Sequence, residues 1–181
     1  MKGERPFIVL GVTGGIAAFK AAELCSSLVK KGCDVQVIMT ENACRFVTEL
    51  TFRTLSQRPV VTTLWDVPEW HPEHVALANR ADLFIVAPAT ANFLAKYANG
   101  IADDALSTFA ATYAGPAVIA PAMNPAMWNN IFVQKNIALL RENNVQFCGP
   151  ADGHVACGTG GSGRMEEPQT IFDAVEKFFG K

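Results

Sequence analysis

The chain has no block of like charge. Its 15 Lys and Arg against 17 Asp and Glu leave a formal charge of −2. The basic residues stand singly or as the pair Lys30-Lys31, which makes nucleic acid and anionic membranes poor candidates as partners. No apolar run is long enough to span a bilayer, and Met1 to Pro6 lead into a strand-like run without a signal-peptide core, so a cytoplasmic protein is expected. The five cysteines, Cys25, Cys33, Cys44, Cys148 and Cys157, are odd in number and lack Cys-x-x-Cys spacing. That argues against a disulfide framework or a structural zinc site. Two nucleotide signatures are missing as well. The first turn, Gly11-Val12-Thr13-Gly14-Gly15-Ile16-Ala17, is not the Gly-x-Gly-x-x-Gly dinucleotide turn, and without a Gly-Lys-Ser/Thr set it cannot be a nucleoside triphosphatase loop. It remains similar to a phosphate-binding turn, in which glycines let backbone N–H groups approach an anion at a helix N-terminus.

What is present is 181 residues, half of them apolar, with no internal repeat or linker. That length suits one domain with a full core. Apolar runs predict strands over 6–12, 34–39, 60–63, 82–87, 117–119 and 145–148. Helical periodicity covers 16–31, 42–55, 74–81, 93–98, 103–113, 130–143 and 168–179, with Ile16, Phe19, Leu24, Leu28 and Val29 recurring at helical spacing in the first. Alternation of strand and helix predicts an α/β fold, a three-layer doubly wound parallel sheet that is Rossmann-like or flavodoxin-like, as one domain over 1–181. Residues 149–166 are glycine-rich and predict a flap, since a loop of that length in a compact domain is usually functional or disordered. Trp65 and Trp70 lie in the connector over 64–72, which suggests packing on a neighbouring subunit.

The loops at the predicted strand C-termini carry Thr13, Thr40, Thr90, Asn92 and Asn124. Open α/β sheets bind ligands at that edge, and neutral hydrogen-bonding groups there suit a flat, amide-rich heterocycle with one phosphate. Asn124 reads equally well as a helix N-cap. Glu41 stands where a ribose-binding acid would, or is simply a charge favoured in a helix's first turn. His74 is a general acid or base, or a surface histidine at a helix start. His71 and His74 are three apart, but Pro72 intervenes and no carboxylate–histidine set accompanies them, so no metal is expected. Cys25, Cys33 and Cys44 should pack, whereas Cys157 sits in the flap sequence Ala156-Cys157-Gly158-Thr159-Gly160-Gly161-Ser162-Gly163-Arg164-Met165, where core filling is a poor explanation. Arg164 would add a phosphate or carboxylate contact.

Three of these segments resemble one family. Pro121-Ala122-Met123-Asn124-Pro125-Ala126-Met127-Trp128 matches the Pro-x-Met-Asn-x-x-Met-Trp signature of the flavin-dependent cysteine decarboxylases. The segment His74 to Asp82 resembles that family's active-site histidine segment. Ala156-Cys157-Gly158 through Gly163-Arg164-Met165 is similar to the substrate clamp of its phosphopantothenoylcysteine decarboxylase branch. The resemblance covers nearly the whole chain. It implies a homotrimer, or an assembly of trimers, that uses FMN to convert 4′-phosphopantothenoylcysteine to 4′-phosphopantetheine and carbon dioxide in coenzyme A biosynthesis. Oxidation to a thioaldehyde would provide the electron sink for decarboxylation, and reduction of the resulting enethiol would complete the cycle. By the resemblance His74 assists the first half and Cys157 protonates in the second. Asn124, Met127 and Arg164 meet substrate, the Asn124 side chain taking its carboxylate while the cap is left to the backbone turn. Gly14, Gly15, Ile16, Thr40, Phe46, Thr90, Ala91, Asn92 and Ala122 would line FMN, with Thr13 and Ser107 beside them.

Thr159 is a departure, because an acidic residue often follows the Cys-Gly of the family's clamp. A separately encoded phosphopantothenoylcysteine synthetase is a further expectation. Among alternatives, a peptidyl-cysteine decarboxylase shares the Met-Asn signature and the histidine but does not need Cys157. A flavin prenyltransferase is not expected to carry both His74 and the Met-Asn pair. A non-catalytic flavin-binding regulatory subunit would not need His74, Asn124 and Cys157 together.

Overall fold

A computed structural model describes residues 5–65, 73–154 and 160–179. Five parallel strands, β1 (Phe7–Val12), β2 (Asp34–Met39), β3 (Leu83–Ala89), β4 (Ala117–Pro121) and β5 (Gln146–Phe147), form one sheet in the order β2-β1-β3-β4-β5. This is the doubly wound flavodoxin-like order expected from strand–helix alternation. Every residue of β1, β3 and β4 is buried, because crossover helices cover both faces of a parallel sheet. On one face α1 (Ala18–Lys30), α2 (Glu41–Cys44), α3 (Glu49–Ser56) and a C-terminal helix over 168–179 pack Leu24, Leu28, Ala43, Phe52, Ile171 and Val175 against the strands. On the other, α4 (Glu73–Arg80), α5 (Ala91–Asn99), α6 (Ala105–Thr112) and a helix over 131–142 surround Phe84, whose ring meets Phe93, Tyr97, Phe109 and Tyr113 edge-on at 5.0–6.4 Å. Such pairs contribute about 0.5–1.5 kcal/mol each beyond their buried area. Among the described residues no helix is long and apolar enough to cross a membrane.

The N-terminal edge of the sheet is closed electrostatically. Asp34, at the start of β2, accepts from Arg58 at 2.6 Å and from Arg80 at 2.6 Å. Both guanidinium groups also lie over the Phe7 ring. Burial pushes the Asp34 carboxyl up, but the Arg58 and Arg80 contacts outweigh it and hold it below the ordinary carboxylate value.

Several elements differ from the sequence expectation. The strand expected over 60–63 is a single bridge from Val61 to Ile38. There the buried Gln36 amide takes the Pro59 carbonyl at 2.7 Å, a side-chain contact where a longer ladder was expected. The helical patch over 42–55 is split into α2 and α3, because Thr48 takes extended dihedrals as the cap of α3. After β4 comes a single turn, α7 (Pro125–Trp128), separated from α8 (Ile131–Glu142) because Asn130 caps α8 through its side chain. Ile16 and Phe19, expected on the buried stripe of α1, are 59% and 60% exposed; they face a cleft. The glycine-rich flap is a two-stranded antiparallel hairpin, β6 (Ala151–His154) with β7 (Gly160–Arg164), followed by α9 (Pro168–Phe179). Trp65 is exposed, while Trp70 and His71 lie outside the described residues.

Candidate active site

The four loops at the C-terminal edge of the sheet are stitched together. Thr40 N–H donates to Val12 O at 3.0 Å, Thr13 Oγ1 donates to Pro88 O at 2.7 Å and accepts from Thr90 N–H at 3.0 Å, and Ala122 N–H donates to Ala89 O at 3.0 Å. Thr13 is fully buried, so its hydroxyl is a clasp between β1 and β3 and not a ligand contact. The hairpin then closes over the loop after β4. Gly163 O accepts from Met123 N–H at 2.9 Å, and a Cβ at Gly163 would stand 2.3 Å from Met123 O. Only a glycine lets β7 lie this close to the Met123-Asn124 peptide.

Between the loops and β7 lies a cleft of about 510 Å³, within the usual range of small-molecule sites. It brings together Gly14, Gly15, Ile16, Thr90, Ala91, Ala122, Asn124, Met127 and Arg164, all expected from the sequence. Thr40, Phe46 and Asn92 do not line it. Thr40 caps α2 by accepting from Ala43 N–H at 3.2 Å, Phe46 is 51% exposed, and Asn92 is exposed on the first turn of α5. Ser107 is buried in the capping box of α6, bonded to Asp104 and Asp103, so it too is structural. Glu41 forms an i,i+4 pair with Arg45 at 3.2 Å at the start of α2, which favours the helix-charge reading. His74 is half-buried on the first turn of α4 and is not among the residues lining the cleft. Cys157 and Thr159 lie outside the described residues.

The polar side chains of the cleft are largely committed to the fold. Thr90 accepts from Phe93 N–H at 3.4 Å, and Asn124 Oδ1 accepts from Ala126 N–H at 2.8 Å. The cap of α7 is therefore made by the Asn124 side chain itself, not by the backbone turn alone as expected. By contrast α1 starts without a side-chain cap; Ala18 N–H and Lys20 N–H donate to Gly15 O and Ala17 O, and the positive end of the helix dipole faces the cleft.

Sequence reasoning missed Lys20 and Glu167. Lys20 Nζ lies 3.0 Å from both carboxylate oxygens of Glu167, and the Arg164 guanidinium donates to the same carboxylate. The Lys20 ammonium, with Arg164 adding to it, holds the Glu167 carboxyl below the ordinary value. The available signal was spacing: Lys20 is four residues beyond Ile16 and so on the same helical face. Four cysteines pack instead. Burial pushes the Cys25 thiol up to about 12 and raises Cys33, Cys44 and Cys148, and none of these lines the cleft.

The Flavoprotein family model matches residues 1–180. The chain belongs to the flavoprotein family. It is 48% identical over 175 residues to the coenzyme A biosynthesis bifunctional protein CoaBC of Bacillus subtilis (strain 168), a match covering 95% of this chain and 43% of that protein. The chain thus spans less than half the length of the curated relatives it matches. Among solved structures, a cysteine-to-serine mutant of PPC decarboxylase complexed with pantothenoylaminoethenethiol superposes with a TM-score of 0.88 at 29% identity, covering 98% of this chain and all of that one. The FMN-dependent cysteine decarboxylase SpaF superposes with a TM-score of 0.82 at 31% identity, covering 93% of this flavoprotein and 94% of its counterpart.

Proposed function

We propose that this flavoprotein catalyses the FMN-dependent decarboxylation of 4′-phosphopantothenoylcysteine to 4′-phosphopantetheine and carbon dioxide in coenzyme A biosynthesis, in the cytoplasm and as a homotrimer or assembly of trimers. The observation that carries the reading is the hairpin strand docked on the Met123-Asn124 peptide, which makes motif and clamp two walls of one cleft. FMN fits that cleft. A Cβ at Gly15 would meet only Thr90 Cγ2 at 3.8 Å, so the backbone there lies open to a ligand. The uncapped start of α1 suits the phosphate, and Ile16, Ala122 and Met123 give apolar walls to a flat ring. Gly14, Gly15, Ile16, Thr90, Ala91 and Ala122 would hold it. Bound FMN supplies the two-electron oxidation that makes the cysteinyl carboxylate labile, and the matching reduction afterwards.

The chain's own residues then have separate tasks. Asn124, fixed by its bond to Ala126, presents its amide to the substrate carboxylate. Met127, 48% exposed at the cleft, packs on the pantothenoyl chain. Arg164 meets an anionic group of the substrate, His74 assists the oxidative half, and Cys157 supplies the proton for the reductive half. His74 lies off the cleft-lining set of its own chain, and in the proposed oligomer it would serve the cleft of a neighbouring copy. Two cations in the cleft, Lys20 and Arg164, favour a small phosphorylated substrate over a peptide. The matched curated relatives are bifunctional, so the separately encoded synthetase stays an expectation of the sequence.

The test is carbon dioxide release by FMN-loaded protein given 4′-phosphopantothenoylcysteine, with one 4′-phosphopantetheine formed per carbon dioxide. Asn124→Asp keeps a good N-cap and places a like charge at the substrate carboxylate, worth about 3 kcal/mol, so turnover should fall roughly a hundredfold. No release by the loaded parent protein would replace this reading with a non-catalytic flavin-binding subunit.

A further inference from the structure

We propose that Glu167 is a displaceable internal anion: it pairs with Lys20 and Arg164 until substrate binds, yields them to the phosphate of the substrate, and so sets the preference for phosphorylated over dephosphorylated pantothenoyl compounds. The inference rests on the functional reading above and names the groups that select its substrate.

Lys20 and Arg164 come from different elements, α1 and β7, and share one carboxylate. Two positive charges against one negative leave a local excess of one positive charge. The Lys20 side chain is only 17% exposed, whereas that of Glu167 is 50% exposed. The ammonium is therefore the less solvated of the pair and gains more from a partner where it stands, while the carboxylate can turn to water. Glu167 is the last of the three residues, Met165 to Glu167, that link the end of β7 to the first residue of α9, and its side chain can swing away while its carbonyl keeps the bond from Ile171 N–H. A phosphate monoester is close to a dianion above pH 7 and matches both cations without Glu167. A neutral hydroxyl in its place cannot replace a carboxylate, and the ion pairs stay closed. The phosphorylated ligand thus gains two charge-assisted contacts but must displace one anion, and the dephosphorylated ligand does neither.

FMN-loaded protein at pH 7.5 is titrated calorimetrically with 4′-phosphopantetheine and with pantetheine, for the parent, Glu167→Gln and Lys20→Met, at low and high salt. Glu167→Gln keeps the side-chain shape and removes the competing charge, so 4′-phosphopantetheine should bind roughly tenfold more tightly with a steeper salt dependence. Pantetheine binding should change by less than about twofold, because no charge is exchanged. Lys20→Met should reduce the preference for the phosphorylated ligand at least about tenfold. Weaker phosphopantetheine binding by Glu167→Gln, or equal changes for both ligands, overturns the inference by showing that Glu167 only props the cations in place. If the parent binds neither ligand, the functional reading falls and this inference with it; if the parent binds both without preference, the inference alone falls.

Discussion

Replacing Gly163 with alanine tests whether the docked hairpin makes the site. Gly163 has φ of +157°, and an added methyl would sit 2.3 Å from Met123 O and 3.3 Å from Pro125 N. Both obstacles are backbone, and the turn that carries them is held by the Asn124 cap and by Pro125 at the first position of α7. Strand β7 must therefore lift by roughly 1 Å to restore ordinary contact, which breaks the bond from Met123 N–H to Gly163 O. Losing that bond costs about 1 kcal/mol, and the unfavourable φ adds about 1–3 kcal/mol. The sum, about 2–4 kcal/mol, falls on the docking of the hairpin and not on the central sheet, so it should appear as local opening. Hydrogen exchange at the Met123 amide should quicken roughly a hundredfold, the melting temperature should fall little, and carbon dioxide release should drop while FMN is retained. Gly153→Ala is the control, since φ there is +150° but the nearest atom to an added Cβ is Arg164 Nη1 at 3.6 Å. It carries backbone strain without overlap and should leave Met123 protected. Unchanged Met123 exchange and turnover in Gly163→Ala would refute the idea that hairpin docking builds the cleft.

Two further predictions concern the scaffold. The depressed Asp34 carboxyl contributes stability that is present above its unfolded value, about 3.9, and is lost as pH falls through the lower folded value. Asp34→Asn should therefore lower stability at pH 7 by about 2 kcal/mol, with a penalty that shrinks in strong acid; urea melts showing an equal penalty at both pH values would contradict this. Tyr113 Oη is buried without a hydrogen-bond partner among the described residues, and its ring stacks on Phe109 at 5.5 Å. Tyr113→Phe keeps the stack and removes the orphaned hydroxyl, so thermal melts should show unchanged or raised stability, by up to about 1 kcal/mol, and a clear loss would reveal a partner for the hydroxyl.

Much of the fold was legible because parallel strands are uniform apolar runs and the loops between them carry the breaks. The C-terminal helix was read with its full range, since Ile171 and Val175 repeat with a clear period and Pro168 marks the start. Ile16 and Phe19 look like core by composition, yet they are left uncovered to wall a cleft, and periodicity cannot distinguish a residue covered by protein from one reserved for a ligand. The hairpin was invisible for the opposite reason. Its strands are rich in glycine and poor in β-branched residues, so intrinsic propensity is against them. The Met123 bond to Gly163, made between positions far apart in sequence, holds β7 in place.

The polar residues at the cleft carry the sharper lesson. Thr13, Thr40 and Thr90 stand at strand ends where ligand groups are expected, as does Asn124, whose position suits a helix cap equally well, and each makes a bond that the fold itself needs. A helix that starts beside a ligand site must satisfy its own N-terminal amides first, and a short oxygen-bearing side chain does so with little loss of entropy. A motif residue at such a position therefore gives rigidity, holding its amide or hydroxyl in one orientation, before it gives recognition. Long-range selectivity then has to come from groups that the fold does not consume. In this cleft the groups with charge to exchange are Lys20, Arg164 and Glu167, two of which no sequence motif marked. On the proposal above, it is this ion cluster, and not the eight-residue signature beside it, that would select a small phosphorylated thiol.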